Sequence, residues 1–97
     1  MTYSLHRQVD QDIESAFRYY RENAGARVAL RFLDEFERVA ELLDANPGFG
    51  TPTGADRRSF PLRVYPYSVI YKPVRDGIRI LVLRHHRLAP EFGSRRS

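Results

Sequence analysis

The run Arg84-His85-His86-Arg87 holds the residues of this sequence best equipped for chemistry. Imidazoles titrate near neutral pH and serve as general acid or base. Guanidiniums grip phosphate through paired hydrogen bonds. Arg58 and Arg63 upstream add two more cations, and Phe92 downstream adds a ring on which a base can stack. These are the parts of a metal-free cleavage of RNA: a base for the 2′-hydroxyl, cations for the pentavalent phosphate, an acid for the leaving oxygen. Adjacent residues of a strand point to opposite faces, so one of His85 and His86 at most joins a given site. The other then caps the sheet edge or meets solvent. Metal chemistry lacks a donor set, because the histidines are His6, His85 and His86, with no carboxylate at ligand spacing and no cysteine. No cofactor is expected.

A chain of 97 residues suits one small domain, 1–97, and rules out a cleft between two lobes. With 42% hydrophobic and 29% charged residues the composition is globular. No apolar run approaches the ~20 residues of a membrane span. Met1-Thr2-Tyr3-Ser4 opens no signal peptide, and the absence of cysteine fits a cytoplasmic protein.

The elements that must position these groups follow from hydrophobic periodicity. Tyr3 to Val9 begins with Tyr3 and Leu5 alternating against polar neighbours, which predicts an opening strand. Asp10 is the expected N-cap of a first helix whose apolar face is Ile13, Ala16, Phe17, Tyr20 and Ala24. Asn23-Ala24-Gly25 supplies the stop. A second stripe, Ala29, Phe32, Leu33, Phe36, Val39, Ala40 and Leu43, predicts a second helix, ended by Asn46-Pro47-Gly48-Phe49-Gly50. So short a connection makes the pair a helical hairpin.

Beyond residue 50 the period falls from 3.6 to 2. Thr51 to Asp56 reads as a polar loop. Phe60, Leu62 and Val64 alternate with Ser59, Pro61 and Arg63, a strand whose proline suggests an edge or a bulge. Tyr67 to Val74 and Ile78 to His85 are two further strands joined at Arg75-Asp76-Gly77. Residues 88–97 form a basic edge strand or tail. The order β-α-α-β-β-β predicts an α+β domain, with the N-terminal strand and helical hairpin packed on one face of a small antiparallel sheet. Along the last strand, simple alternation puts Ile78, Ile80 and Val82 on one side and Arg79, Leu81, Leu83 and His85 on the other. One hairpin covers one face, so Leu81 and Leu83, framed by Arg79 and His85, are expected on an open partner-binding surface unless the tail folds over it.

The net charge of +4 is unevenly spread. Residues 1–50 hold six arginines against nine acids, and residues 51–97 hold nine arginines and Lys72 against Asp56, Asp76 and Glu91. The acidic hairpin and basic sheet-and-tail half define an oriented electrostatic face. Arg57-Arg58 opens the basic half. The pair either meets acids of the second helix, Glu37 or Glu41, or borders a groove for an acidic partner segment. Tyr65 and Tyr67 read as corner aromatics of the core, and Tyr19 and Tyr20 as packing residues.

Several segments in order resemble the ParE branch of the RelE/ParE toxin superfamily of type II toxin–antitoxin systems, the plasmid stabilisation proteins. They are Asp10-Gln11-Asp12-Ile13, Tyr19-Tyr20-Arg21, Ala29-Leu30-Arg31-Phe32-Leu33, Asn46-Pro47-Gly48-Phe49-Gly50, Arg57-Arg58, Tyr65-Pro66-Tyr67-Ser68-Val69-Ile70-Tyr71 and Leu83-Arg84-His85-His86-Arg87-Leu88-Ala89-Pro90. The resemblance implies the same β-α-α-β-β-β architecture and a toxin silenced by a cognate antitoxin, with operator DNA reached only through that antitoxin. ParE-like members are described as inhibiting DNA gyrase by binding. RelE-like members are ribosome-dependent endonucleases that cut mRNA.

RelE-like chains tend to carry Arg-x-Gly-Asp-Tyr-Arg where this one has Arg63-Val64-Tyr65-Pro66-Tyr67-Ser68, and an aromatic where Arg87 stands. Both departures favour the binding reading. It makes Arg57, Arg58, Arg79, Leu81, Leu83, His85, Arg87 and Phe92 the candidate target or antitoxin contacts. The nuclease alternative draws on Arg58, Arg63, His85, His86 and Arg87, with the ribosome and mRNA as partners. A non-toxic member acting in autoregulation is the third reading.

Overall fold

Two amphipathic helices and a mixed five-stranded sheet form the regular structure of the computed structural model, which describes residues 3–54 and 56–97. The elements are β1 (Ser4–Leu5), α1 (Val9–Ala24), α2 (Ala26–Ala45), β2 (Thr51–Pro52), β3 (Arg58–Pro61), β4 (Tyr67–Val74) and β5 (Gly77–His85). The strand order is β1-β5-β4-β3-β2, with β1 parallel to β5 and the other pairs antiparallel. This is the expected α+β fold with its helical hairpin. No helix among the described residues is long and apolar enough to cross a membrane.

The predicted stripe of α2 is the heart of the core: Ala29, Phe32, Phe36, Val39, Ala40 and Leu43 are buried, and Leu33 is half-buried at its side. Phe32, Phe36, Val39, Ala40 and Leu43 meet Val69, Tyr71, Ile78, Ile80 and Leu83 from the sheet. Gly25 joins the helices at φ 96, a left-handed conformation that suits glycine because it lacks a Cβ. Tyr71, fully buried, holds the loop after α2: its Oη donates to Pro47 O (2.7 Å) and accepts from the Gly50 N–H (2.9 Å). An aromatic cluster of Tyr20, Phe32, Tyr65 and Tyr67 closes the corner between the hairpin and β4, with centroids 5.1–6.3 Å apart. The Tyr65 hydroxyl donates to Val28 O at 3.1 Å.

Local expectations change at five places. The opening strand is two residues long, and α1 begins at Val9 with Gln8 in the cap position, so Asp10 lies in the first turn rather than capping it. β3 stops at Pro61. Val64, expected to point inward, is 96% exposed at φ 72. There the Tyr65 N–H donates to Arg63 O at 2.8 Å, closing a γ-turn of the rare, strained hand around a β-branched residue. A two-residue β2 interrupts the loop after α2. The C-terminal segment makes successive turns, not an edge strand.

The fifth correction concerns β5. Ile70 pairs with Val82 and Tyr71 with Ile80, which leaves Leu81 as the extra residue of a bulge. A bulge reverses which face the following side chains take. Leu83 therefore joins Ile78 and Ile80 beneath the helices, while Val82 and Leu81 cluster with Ile70. Leu81 and Leu83 are 0% and 2% exposed, so neither offers an open apolar surface. The C-terminal segment folds over the Val82 side. A Cβ built on Gly93, whose φ is 75, would stand 2.5 Å from Val82 Cγ2.

Candidate functional site

The outer edge of β5 is covered by β1 only as far as Ile80. Beyond that point two side chains do the work of a neighbouring strand. The Leu83 N–H donates to Asp12 Oδ2 at 3.1 Å, and Arg96 Nη1 donates to Leu81 O at 3.1 Å. Asp12 and Arg96 also grip each other, at 2.6 Å and 3.2 Å, with side chains 6% and 10% exposed. An acid from the first turn of α1 and a base from the C-terminal segment thus close a backbone edge that would otherwise be unsatisfied.

Two further arginines fasten the same segment. Arg57 donates to Gly93 O at 3.2 Å and to Arg96 O, and Arg79 Nε donates to Ser97 O at 3.2 Å. Arg96 stacks 5.1 Å over the Phe92 ring.

Between α1, the end of β5 and this strapped segment lies a groove of about 460 Å³. Leu83, Tyr67, Ala16 and Leu88 give it an apolar lining. Tyr19 and Phe92 stand at its sides, 57% and 37% exposed. Gln11, Ser15, His85 and Arg87 supply polar groups. Tyr19 is therefore a groove residue rather than the packing residue expected, because it lies one step off the apolar stripe that places Tyr20 in the core. The ring of Tyr20 has its hydroxyl pKa pushed up to about 12, first by burial and then by the neighbouring Tyr67 and Tyr65.

His85 sits at the groove with its ring edge-on to Tyr67, centroids 4.9 Å apart. Its Nδ1 accepts the Arg87 N–H at 2.9 Å, which leaves Nε2 as the protonated nitrogen of the neutral ring. Burial, and then the charges of Arg87 and His86, lower its pKa, so the ring is neutral at pH 7. In this tautomer Nε2 can donate but cannot take a proton, which suits recognition of an acceptor better than general-base chemistry. His86 turns away, with Nε2 2.9 Å from Ser68 Oγ.

The groove brings Leu83, His85, Arg87 and Phe92 together out of the sequence candidates. Arg57 and Arg79 hold the C-terminal segment, and Leu81 is buried in the bulge. Arg58 donates to Gly50 O (2.7 Å) and Gly48 O (3.3 Å) in the loop after α2, not to Glu37 or Glu41. Arg63 lies in the β3–β4 turn, where its N–H donates to Glu35 Oε2 at 2.7 Å. The five nuclease candidates are thus distributed over separate contacts, with His85 and Arg87 sharing the groove. Asp12, Tyr19 and Arg96 were not singled out from the sequence. Asp12 and Arg96 are 84 positions apart, and only the fold shows that they pair. Among the described residues no group of three or more His, Cys, Asp or Glu side chains is placed to hold a metal ion.

The family model for the ParE toxin of the type II toxin–antitoxin system parDE matches residues 3–90. Among solved structures, a chain of the chromosomal ParDE toxin–antitoxin system from P. aeruginosa superposes with a TM-score of 0.76 at 23% identity. That match covers 88% of this chain and 95% of the other, which shows a shared fold. No curated protein sequence matches.

Proposed function

We propose that this chain, which belongs to the ParE toxin family of type II toxin–antitoxin systems, acts in the cytoplasm by binding DNA gyrase and is neutralised by a cognate antitoxin laid into the α1–β5 groove. The observation that carries this reading is the groove itself. It joins an apolar lining of Leu83, Tyr67 and Leu88 to donors on His85 and Arg87, and it flanks the end of β5 that Asp12 and Arg96, rather than a neighbouring strand, cover. Such a surface suits an amphipathic helix or an extended segment with acidic flanks. Arg87 supplies the charge complement, and the neutral His85 supplies an N–H donor.

A supercoiling assay with purified chain and gyrase tests the target. Loss of supercoiling is expected, relieved by an Arg87→Glu/Leu88→Glu double variant that keeps the wild-type circular dichroism spectrum. Normal supercoiling at a large molar excess of the wild-type chain would sink the gyrase assignment. Primer extension on transcripts from growth-arrested cells is expected to show intact mRNA. Codon-positioned cuts would transfer the reading to the ribosome-dependent nuclease.

A further inference from the structure

On the face of the sheet away from the helices, β3, β4, β5 and the C-terminal segment enclose a second cavity of about 390 Å³. Its volume falls within the ~300–1,000 Å³ typical of small-molecule pockets. Ile70 and Val82 form an apolar patch there, and Pro90 and Phe92 face them from the C-terminal segment. The charged groups on the wall are Arg57, Arg84 and Asp56.

Arg57 is already committed. Its guanidinium holds two carbonyls of the C-terminal segment, and Asp56 lies 3.8 Å from its Nε. Arg84 is different. Its Nη1 donates to Leu88 O at 3.1 Å, but its Nε is buried and has no acceptor. It is the one such atom among the described residues. Ser68, its cross-strand neighbour, is engaged with His86 and leaves the gap unfilled. A buried donor without an acceptor is costly, so a ligand that supplies the acceptor is favoured there.

We propose that this cavity is a binding site for an organic monocarboxylate with a compact apolar body. Once a turn of the guanidinium opens the buried Nε to the cavity, the planar carboxylate would take the Nε–Nη2 edge of Arg84, which Leu88 does not use, in the side-on pairing that matches a guanidinium. The apolar body would lie against Ile70, Val82 and Phe92. Two arginines against one aspartate leave a single positive charge on the wall, which matches a monoanion better than a phosphate dianion. The site shares the Phe92 ring with the α1–β5 groove but otherwise has its own lining, and it stands whether or not the gyrase reading does.

The test is a ¹⁵N-resolved NMR titration of the full chain with 3-phenylpropionate, its amide 3-phenylpropanamide, and inorganic phosphate. The acid is expected to bind at least tenfold more tightly than the amide and than phosphate. Its shifts should centre on the amides of Ser59, Ile70 and Val82, and Arg84→Gln should abolish the acid's advantage. Equal binding of acid and amide, or shifts centred on His85 and Arg87, overturns the proposal without reference to any variant. Comparison with N-acetylglycyl-phenylalanine separates the sources: tighter binding of the peptide assigns a chain terminus, and weaker binding a free acid.

Discussion

Asp12→Ala is expected to unfasten the C-terminal segment and to cost more stability than any other single change on this surface. The substitution strands the Leu83 N–H and the Arg96 guanidinium in a site where the paired side chains are 6% and 10% exposed. Leaving one member of a buried ion pair unpaired costs about 3–5 kcal/mol where the structure cannot relax. Relaxation is available here, because Arg96 belongs to a terminal segment that can swing into water. The loss is then capped by the free energy that holds the segment down: the contacts from Arg57 and Arg79, the packing of Gly93 on Val82, and the ion pair itself. An intermediate value of about 3 kcal/mol follows.

For a domain of this size, about 3 kcal/mol corresponds to a melting temperature lower by ~12–24 °C. The decisive assay is a double-mutant cycle of Asp12→Ala and Arg96→Ala by urea denaturation, with hydrogen exchange on residues 89–97. Coupling of about 2 kcal/mol or more is expected, with faster exchange of the segment in each single variant. Additivity within ~0.5 kcal/mol would refute the reasoning, because residues that share no interaction behave that way.

Gly93→Ala forces a Cβ against Val82 at a left-handed φ and should speed hydrogen exchange across residues 89–97 while the helices stay protected. Tyr71→Phe removes both contacts of the buried hydroxyl, and urea denaturation should show a loss of about 1–3 kcal/mol. Val64→Gly should raise stability by about 1 kcal/mol, since the side chain is 96% exposed and its removal relieves a left-handed β-branched residue at no cost in packing. Glu35 has its pKa held below the ordinary 4.5, first by its hydrogen bond to Arg38 and then, against the opposing effect of burial, by the Arg63 N–H. Its contribution is therefore complete above that ordinary value and disappears as pH falls through the lower folded one. A pH series of melting temperatures should show this acid slope reduced in Glu35→Gln.

What could be read from the sequence was set by periodicity. Of the predicted stripe, Ala29, Phe32, Phe36, Val39, Ala40 and Leu43 are buried and Leu33 is half-buried, and β4 runs from Tyr67 to Val74 as predicted, because both keep one period along their length. Alternation failed at Leu81, where one extra residue against Ile70 and Tyr71 turned Leu83 from an exposed contact into a core residue. It failed again at Val64, where a turn takes over the apolar alternation. Neither event leaves a mark in composition or spacing, since a bulge is decided by the partner strand and a strained turn by its flanking hydrogen bonds.

The charge split of the sequence acquires a different meaning once the pairs are known. An acidic hairpin beside a basic half suggested one large cationic face, but Arg57, Arg79 and Arg96 point their guanidiniums at the chain's own carbonyls, and Arg96 also meets Asp12 from the acidic half. Arg58 likewise serves the loop after α2. Much of the asymmetry is therefore internal: it staples the end of the chain across the edge of β5. Among the described residues, the groove-side cation left free of such a contact is Arg87, beside a neutral His85. A surface with that little charge selects its partner by shape and apolar contact, with charge setting orientation and encounter rate. The affinity of the groove for its partner should then depend weakly on salt. A polyanion-binding surface built from all ten cations of the basic half would lose its ligand steeply as salt rises.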